Sequence, residues 1–578
     1  MTALSTHRTA LGLICIALLA GWCVGMFGRG YWTPDEPRES DISWRMSWQA
    51  DAAVPLLAGE AFCEKPPLTY WLAGASIRIF GDAGWAARLP NLIYAILTTL
   101  SVAWLARRLA GTIAATAAAA ASATFLLSYQ VAIWLATDAP LLAAVALALA
   151  GAYAGFHPQS ARERLLGYTL MHVALALGFL AKSAAAWIVP VLSLATMIIW
   201  ERRWRELLRF ELWIGLPLQA LIIGAWVWSV YAGPQGPEHL RVFFWNNLAG
   251  RFANIDAPGS LQYTTGHRNF PGKYLLEMPI YLFPWTLLVI AAGVRAWQKR
   301  AALAQSDQPI LRWALAAALP GLLLLSVAAT ARNIYVAPLL PAVALLLGWW
   351  VRGIIASPAP ADTLALRATA ILLLLATLAA AATLALGSID ATSATITALS
   401  AGLAGALLVR AWRAAGRLQP AEALLALLLA YCSLLTGPAS QAYRTVDRWQ
   451  DLASVGRELK ADLASAPLVL LAPDETTRAW VDQYVNTDVA RAPLPLDDAT
   501  ASQLTVWMSG GGGRHALVQL EGRAMTRQLQ SLGKTLGISR LEATVPAAPA
   551  WIGAAHLRIE KKYALPNGRR YALLALAP

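Results

Sequence analysis

Apolar stretches long enough to cross a bilayer recur from Ala10 to Phe27 at the N-terminus to about residue 437, and short polar breaks separate them. That pattern makes lipid the solvent for much of the chain and makes helices its main element. A sequence of 578 residues that is 58% hydrophobic and only 14% charged, with a mean hydropathy of +0.51, is too apolar to be soluble at this length.

The charge pattern then sets orientation. The formal charge is +13, which in a soluble protein raises nucleic-acid binding. Here the basic residues fall mostly in the breaks, as at Arg107/Arg108, Arg162/Arg164, Arg202/Arg203/Arg205/Arg209, Arg295/Lys299/Arg300 and Arg410/Arg413/Arg417. Breaks of this kind read as cytoplasmic loops, so no nucleic-acid partner is expected. Alternating them with the other breaks predicts about thirteen spans from a cytoplasmic N-terminus, among them 86–105, 111–128, 184–200 and 279–297.

Residues 28–85, residues 232–278 and everything after 438 then share the other side. The expected domains are a transmembrane unit over 1–438, with loops 28–85 and 232–278 carrying the site, and a soluble unit over 439–578. In the first loop, Glu39 to Gln49 and Leu68 to Phe80 are amphipathic enough to lie at the interface as short helices. The tail alternates helix-like stretches (447–463, 476–485, 526–532) with β-like runs (468–471, 516–520, 571–574), which predicts a small α/β domain. Gly510 to Gly513 lacks the Lys-Ser/Thr of a phosphate-binding loop and reads as a turn. Cys15, Cys23 and Cys432 sit in spans and Cys63 in a loop, so the cysteines define neither a disulfide framework nor a metal site.

Four places carry candidate chemistry. Asp35-Glu36-Pro37-Arg38 puts adjacent carboxylates at the membrane surface, where an acid can take a proton, hold a cation or stabilise an oxocarbenium-like centre. Phe62-Cys63-Glu64-Lys65-Pro66-Pro67 offers an ammonium stiffened by two prolines, which suits a phosphate as a point charge. Asp138 and Lys182 are ionisable groups near span ends on the same non-cytoplasmic side. Lys182 goes against the positive-inside trend in a chain where lysine is scarce, with snorkelling to headgroups as the plain alternative.

These segments, together with Ala87-Arg88-Leu89-Pro90, Thr137-Asp138, Leu180-Ala181-Lys182, Arg251-Phe252, His267-Arg268, Phe283-Pro284-Trp285 and Arg332 to Pro338, resemble in order and spacing the aminoarabinose transferase (ArnT) and protein mannosyltransferase group over roughly residues 10–350. The resemblance implies a polytopic α-helical GT-C fold over that stretch, to which the tail's own pattern adds a C-terminal periplasmic α/β domain whose role stays open. It also implies an inner-membrane enzyme that transfers sugar from a polyprenyl-phosphate donor on the periplasmic side. Asp35 matches the family's catalytic acid, with Glu36 and Asp138 as further candidates for the catalytic set. Arg38, Lys65, Lys182 and Arg268 match groups that hold donor phosphate, and Tyr335 falls where the family has an active-site tyrosine. Glu64 and His267 resemble a pair that holds a divalent ion, zinc or similar, although no essential cofactor is expected. Phe62, a further candidate for substrate binding, stands where tyrosine is usual, and Ser183 and Pro37 also depart from the pattern, which leaves sugar and acceptor open.

The expected reaction is an inverting displacement in which preplaced cations stabilise the phosphate leaving group. A hydroxyl acceptor needs Asp35 as general base, whereas a lipid A phosphate is already anionic and needs Asp35 only to position it or to steady positive charge. Aminoarabinose transfer to lipid A is the leading expectation, and transfer of another sugar to protein or another envelope glycan is the enzymatic alternative. A lipid-linked sugar flippase is the alternative from another class, against which the candidate charges cluster on one side.

Overall fold

The computed structural model describes residues 2–27, 29–248, 270, 272–301, 305, 307–328, 332–382, 390–485, 489–492, 498–510, 513–520, 552–553, 556–565 and 567–577. Among the described residues ten helices are long and apolar enough to cross a membrane, or eleven if one bent pair counts as a span. The difference from the expected thirteen has local causes. The expected spans 86–105 and 111–128 lie in one helical run, Gly84–Thr124, interrupted at Gly111, whose φ of +85° is open to glycine and strained for any other residue. Ala185–Trp200 is helical but short. The stretch read as a span over 279–297 is two helices, Lys273–Tyr281 and Thr286–Lys299, bent by 117° at a break that contains Pro284, which has no N–H to continue the ladder.

At the centre of the bundle is Asp138–Phe156, whose apolar window is 94% buried. It forms an antiparallel pair with Ala161–Lys182, which starts at Ser160, whose hydroxyl accepts the Glu163 N–H at 3.1 Å. Small residues set the approach of the two helices. A Cβ on Gly151 would lie 2.7 Å from the Gly167 carbonyl, and one on Gly167 would lie 2.4 Å from the Gly155 nitrogen. Inside lipid such small-residue contacts let backbones pack closely where no hydrophobic drive separates helix from solvent. The antiparallel geometry also brings Asp138, first residue of one helix, to Lys182, last residue of the other.

On that same end the chain folds into the helix Asp35–Met46, which packs against Leu68–Phe80. A small antiparallel hairpin, β1 (Leu56–Leu57) and β2 (Glu60–Ala61), lies between them in sequence. The helix expected over residues 39–49 starts earlier, at Asp35, and Glu36, Glu39, Asp41, Ile42 and Ser43 in it are fully buried, with a helix from the tail packed along one side.

The last span, Pro420–Leu434, continues through a wider π-helical turn into Ser440–Trp449 and then Leu452–Leu463. Beyond it lies a five-stranded mixed sheet formed by β3 (Leu468–Leu471), β4 (Val489–Ala492), β5 (His515–Gln519), β6 (Leu557–Ala564) and β7 (Arg570–Leu576), in the order β4-β3-β5-β7-β6. β3 runs parallel to β4 and β5, and β7 is antiparallel to both β5 and β6. Strand alternation sends Leu468 and Leu470 into a core with Leu459 and Trp480, and Val469 and Leu471 into one with Leu504 and Met508. β3 is therefore buried on both faces. The helix Glu475–Tyr484 belongs to the first of these layers and is the element that covers Asp35–Met46. The expected helix at 526–532 lies outside the described residues.

Candidate functional site

Asp35–Met46 starts just after Pro34 with two acids in its first turn, where the helix dipole favours negative charge. Helical spacing then decides which side chains meet. Asp35, Arg38 and Glu39 are three and four residues apart and share a face, while Glu36 is turned about 100° away. The Arg38 guanidinium donates from Nη2 to Asp35 at 3.3 Å and to Glu39 Oε1 at 2.7 Å. Lys65, placed just before the helix capped by Pro67, donates to the same Glu39 oxygen at 2.7 Å. Both cations stand over the buried ring of Phe62, 5.5 and 6.0 Å from its centroid.

A second group joins this one. Lys182 donates to Asp138 Oδ1 at 2.5 Å and lies 5.2 Å from the centroid of Tyr335. Tyr335 belongs to the short 3-10 turn Asn333–Leu339, and the preceding Arg332 donates to Asp35 Oδ2 at 2.5 Å. The groups read from separate segments thus form one continuous cluster, Lys182, Tyr335, Arg332, Asp35, Arg38 and Lys65. Burial alone would raise the pKa of Asp35, but the charges of Arg38, Arg332 and Lys65 outweigh it and hold the group below the usual carboxylate range. The same competition, with Lys65 and Arg38 as the cations, holds the buried Glu39 at about 2.

Glu36, expected beside Asp35 in the catalytic set, has a fully buried carboxylate whose oxygens are taken up by structural donors. Arg29 donates at 2.6 and 3.0 Å, Arg88 at 2.8 and 3.2 Å, and the backbone N–H groups of Trp32 and Leu135 at 2.8 and 2.9 Å. Burial opposes its ionisation, but Arg88 and Arg29 more than cancel this and hold it at about 2. Glu36 ties the loop after the first span to the Gly84–Thr124 helix and has no free lone pair for a substrate.

Arg268 and His267 lie outside the described residues, as do Arg251 and Phe252. The Glu64 carbonyl accepts from the Asn247 side chain. Among the described residues no group of three His, Cys, Asp or Glu side chains could hold a metal ion. The sequence reading named the segments of Glu39 and Arg332 without giving either residue a role, and missed Glu475. Glu39 was signalled by its helical spacing from Asp35, and Arg332 by a basic residue three positions before Tyr335. Glu475, whose Oε2 accepts from Arg38 Nη1 at 2.5 Å, carried no local signal at a separation of 437 residues.

Residues 64–228 match the family described as dolichyl-phosphate-mannose-protein mannosyltransferase. A Pseudomonas aeruginosa protein named undecaprenyl phosphate-alpha-4-amino-4-deoxy-L-arabinose arabinosyl transferase is 30% identical over 344 residues, 59% of this chain and 60% of that protein. A Pseudomonas paraeruginosa protein of the same name is 31% identical over 378 residues, 65% of each chain. The similarity therefore spans a little under two thirds of these relatives' length. Among solved structures, ArnT from Cupriavidus metallidurans bound to undecaprenyl phosphate matches with a TM-score of 0.72 and 18% identity over 97% of each chain. The apo form of that protein matches with a TM-score of 0.68 over 98% of each chain. The chain has this GT-C fold.

Proposed function

We propose that this ArnT-like polytopic membrane protein is an inverting glycosyltransferase that moves 4-amino-4-deoxy-L-arabinose from undecaprenyl phosphate to a lipid A phosphate on the periplasmic face of the inner membrane. The observation that carries this reading is the cluster itself, in which one low-pKa carboxylate, Asp35, stands among Arg38, Lys65, Arg332 and, through Tyr335, Lys182.

A polyprenyl phosphate leaves with growing negative charge as the anomeric carbon becomes electron-poor. Fixed cations in a partly dry site lower that barrier without reorganising. Arg38 and Lys65, oriented by Glu39, and Lys182, oriented by Asp138, are placed for that task. Asp35 faces the developing positive charge of the sugar ring. Its depressed pKa makes it a weak proton acceptor, which suits an acceptor that arrives as an anion better than one whose hydroxyl proton must be removed. The names of the relatives support the same donor and sugar. A divalent ion at Glu64 and His267 remains part of the proposal as an accessory group that this chemistry does not require.

The test uses the purified full-length protein in detergent with undecaprenyl-phosphate aminoarabinose and lipid A, read by mass spectrometry. The expected result is a gain of one pentosamine on lipid A, lost by about 10²–10⁴-fold in Asp35→Asn protein that still folds. Transfer to a peptide or glycan hydroxyl with lipid A untouched would reassign the acceptor. No consumption of donor with any acceptor would remove the reading altogether.

A further inference from the structure

The helix Glu475–Tyr484 lies along Asp35–Met46, and its contacts with that helix and the loop around it are of two kinds. Most end away from the cluster. Arg45 donates to Asp482 at 2.9 and 2.5 Å, Arg478 donates to Glu60 at 2.8 Å, Thr476 donates to the Pro34 carbonyl at 3.0 Å, and Gln483 donates to Ser40 at 2.9 Å. Further down the same seam Trp32 donates to Asp447 at 2.6 Å, and Thr33 donates through its N–H to Gln450 at 2.8 Å. Glu475 alone among these reaches the cluster.

Its contact is with the end of Arg38 that the other acids leave free. Arg38 has Nη2 committed to Asp35 and Glu39, and Glu475 takes Nη1. A guanidinium is a rigid planar fork, so holding one end fixes the direction of the other. The Glu475 side chain is 41% exposed, whereas that of Arg38 is 8% exposed. An ion pair so open on one side adds little to the strength of docking, which the other contacts already supply. What it can set is the orientation of the buried cation.

We propose that Glu475 is a positioning residue, through which the C-terminal sheet domain orients Arg38 toward Asp35 and the donor phosphate. The tail domain is then part of the working site and not only a neighbour of it. The inference rests on the proposed transfer reaction for its kinetic consequence, and on phosphate binding for its structural one.

The experiment compares Glu475→Gln, Glu475→Asp and Arg478→Gln in the full-length protein, each measured for thermal stability, for binding of undecaprenyl phosphate, and for kcat and KM of sugar transfer. Glu475→Gln keeps the size and removes the charge, and is expected to weaken undecaprenyl phosphate binding and to lower kcat/KM by about tenfold or more at unchanged thermal stability. Glu475→Asp, which keeps the charge on a shorter arm, is expected to recover part of both. Arg478→Gln removes a docking contact of the same seam without touching Arg38, and is expected to leave kcat/KM near wild type. Wild-type binding and transfer by Glu475→Gln protein would overturn the proposal, as would equal losses in Glu475→Gln and Arg478→Gln accompanied by equal destabilisation. If the wild-type protein transfers no sugar, the proposed reaction fails, while the binding comparison still decides the role of Glu475.

Discussion

Asp35 and Glu36 are neighbours in sequence with opposite tasks, and the helix separates them. Asp35 is turned to the face shared with Arg38 and Glu39, where its side chain keeps 16% of its exposure, while Glu36 is turned inward to two arginines and two backbone N–H groups. Replacing Glu36 by Gln removes the charge that neutralises Arg29 and Arg88, both buried. Breaking a buried ion pair from one side typically costs about 3–5 kcal/mol, so Glu36→Gln is expected to lower thermal stability sharply. Asp35→Asn is expected to cost less stability, because Arg38 keeps Glu39 and Glu475 as partners and Arg332 is partly exposed, and to remove transfer. Thermal unfolding of the two variants side by side checks this, and a stable Glu36→Gln protein would show that the two arginines find other partners. The sign with pH follows from the same groups. The folded pKa of Glu36, at about 2, lies below its usual value, so the stabilisation it gives is present above about pH 4.5 and is lost as pH falls toward 2.

At the scale of elements, the seam between Asp35–Met46 and Glu475–Tyr484 carries a group of the opposite kind. Asp41 is fully buried, accepts the Ala58 N–H at 2.7 Å, and has Arg45 only at 3.9 Å, because Arg45 is engaged by Asp482. Burial, and then the nearby Asp482 carboxylate, push Asp41 up to about 8. For an acid raised in the folded state, the stabilisation is complete below the unfolded pKa of about 4 and is lost as pH rises through about 8. Asp41→Asn keeps the shape and removes the titration. Its gain in thermal midpoint over wild type is expected to grow between pH 4 and 8 and to level off above. A difference that does not vary with pH would mean that Asp41 is charged in the folded protein. Such seams are what the sequence hides. Local spacing pointed to the helix Leu68–Phe80, to strand β3, and to Asp35, Lys65 and Lys182, because each shows in hydropathy or in a charge set against an apolar run, while Arg38 came only with the family resemblance. Asp41, Glu475 and Asp482 are ordinary polar residues in their own segments, and only the packing of one helix on another gives them meaning. The apolar length that suggested a straight span over 279–297 likewise could not show that the chain turns there by 117°.

The whole molecule has two ends that differ in chemistry. Asp138–Phe156 is 19 residues long, a rise of about 28 Å, close to the thickness of the hydrocarbon layer. At its first residue is the acidic and basic cluster around Asp35. Beyond its last residue, Arg203 lies 4.0 Å from the ring of Phe156, and Arg108 pairs with Glu163 at 2.5 Å. The arginine-bearing breaks around Arg108, Arg162 and Arg203 therefore lie at the far end of the bundle. The loop carrying Asp35 and the tail sheet domain must share the near end, since Gly30, Trp32 and Thr33 are bonded directly to Asp447 and Gln450. With arginine marking the cytoplasmic side, the proposed orientation sets the near end in the periplasm. Single cysteines placed at exposed positions in a background with Cys15, Cys23, Cys63 and Cys432 replaced test this directly. Ala61→Cys on β2 and Lys460→Cys in the tail are expected to react with a membrane-impermeant maleimide added to intact spheroplasts. Arg417→Cys, in an arginine-rich break, is expected to react only after the membrane is opened. Labelling of Ala61→Cys and Lys460→Cys from opposite sides would contradict the contacts between loop and tail. Labelling of all three in the reverse sense would leave the fold intact but place the cluster in the cytoplasm, where a periplasmic acceptor could not reach it.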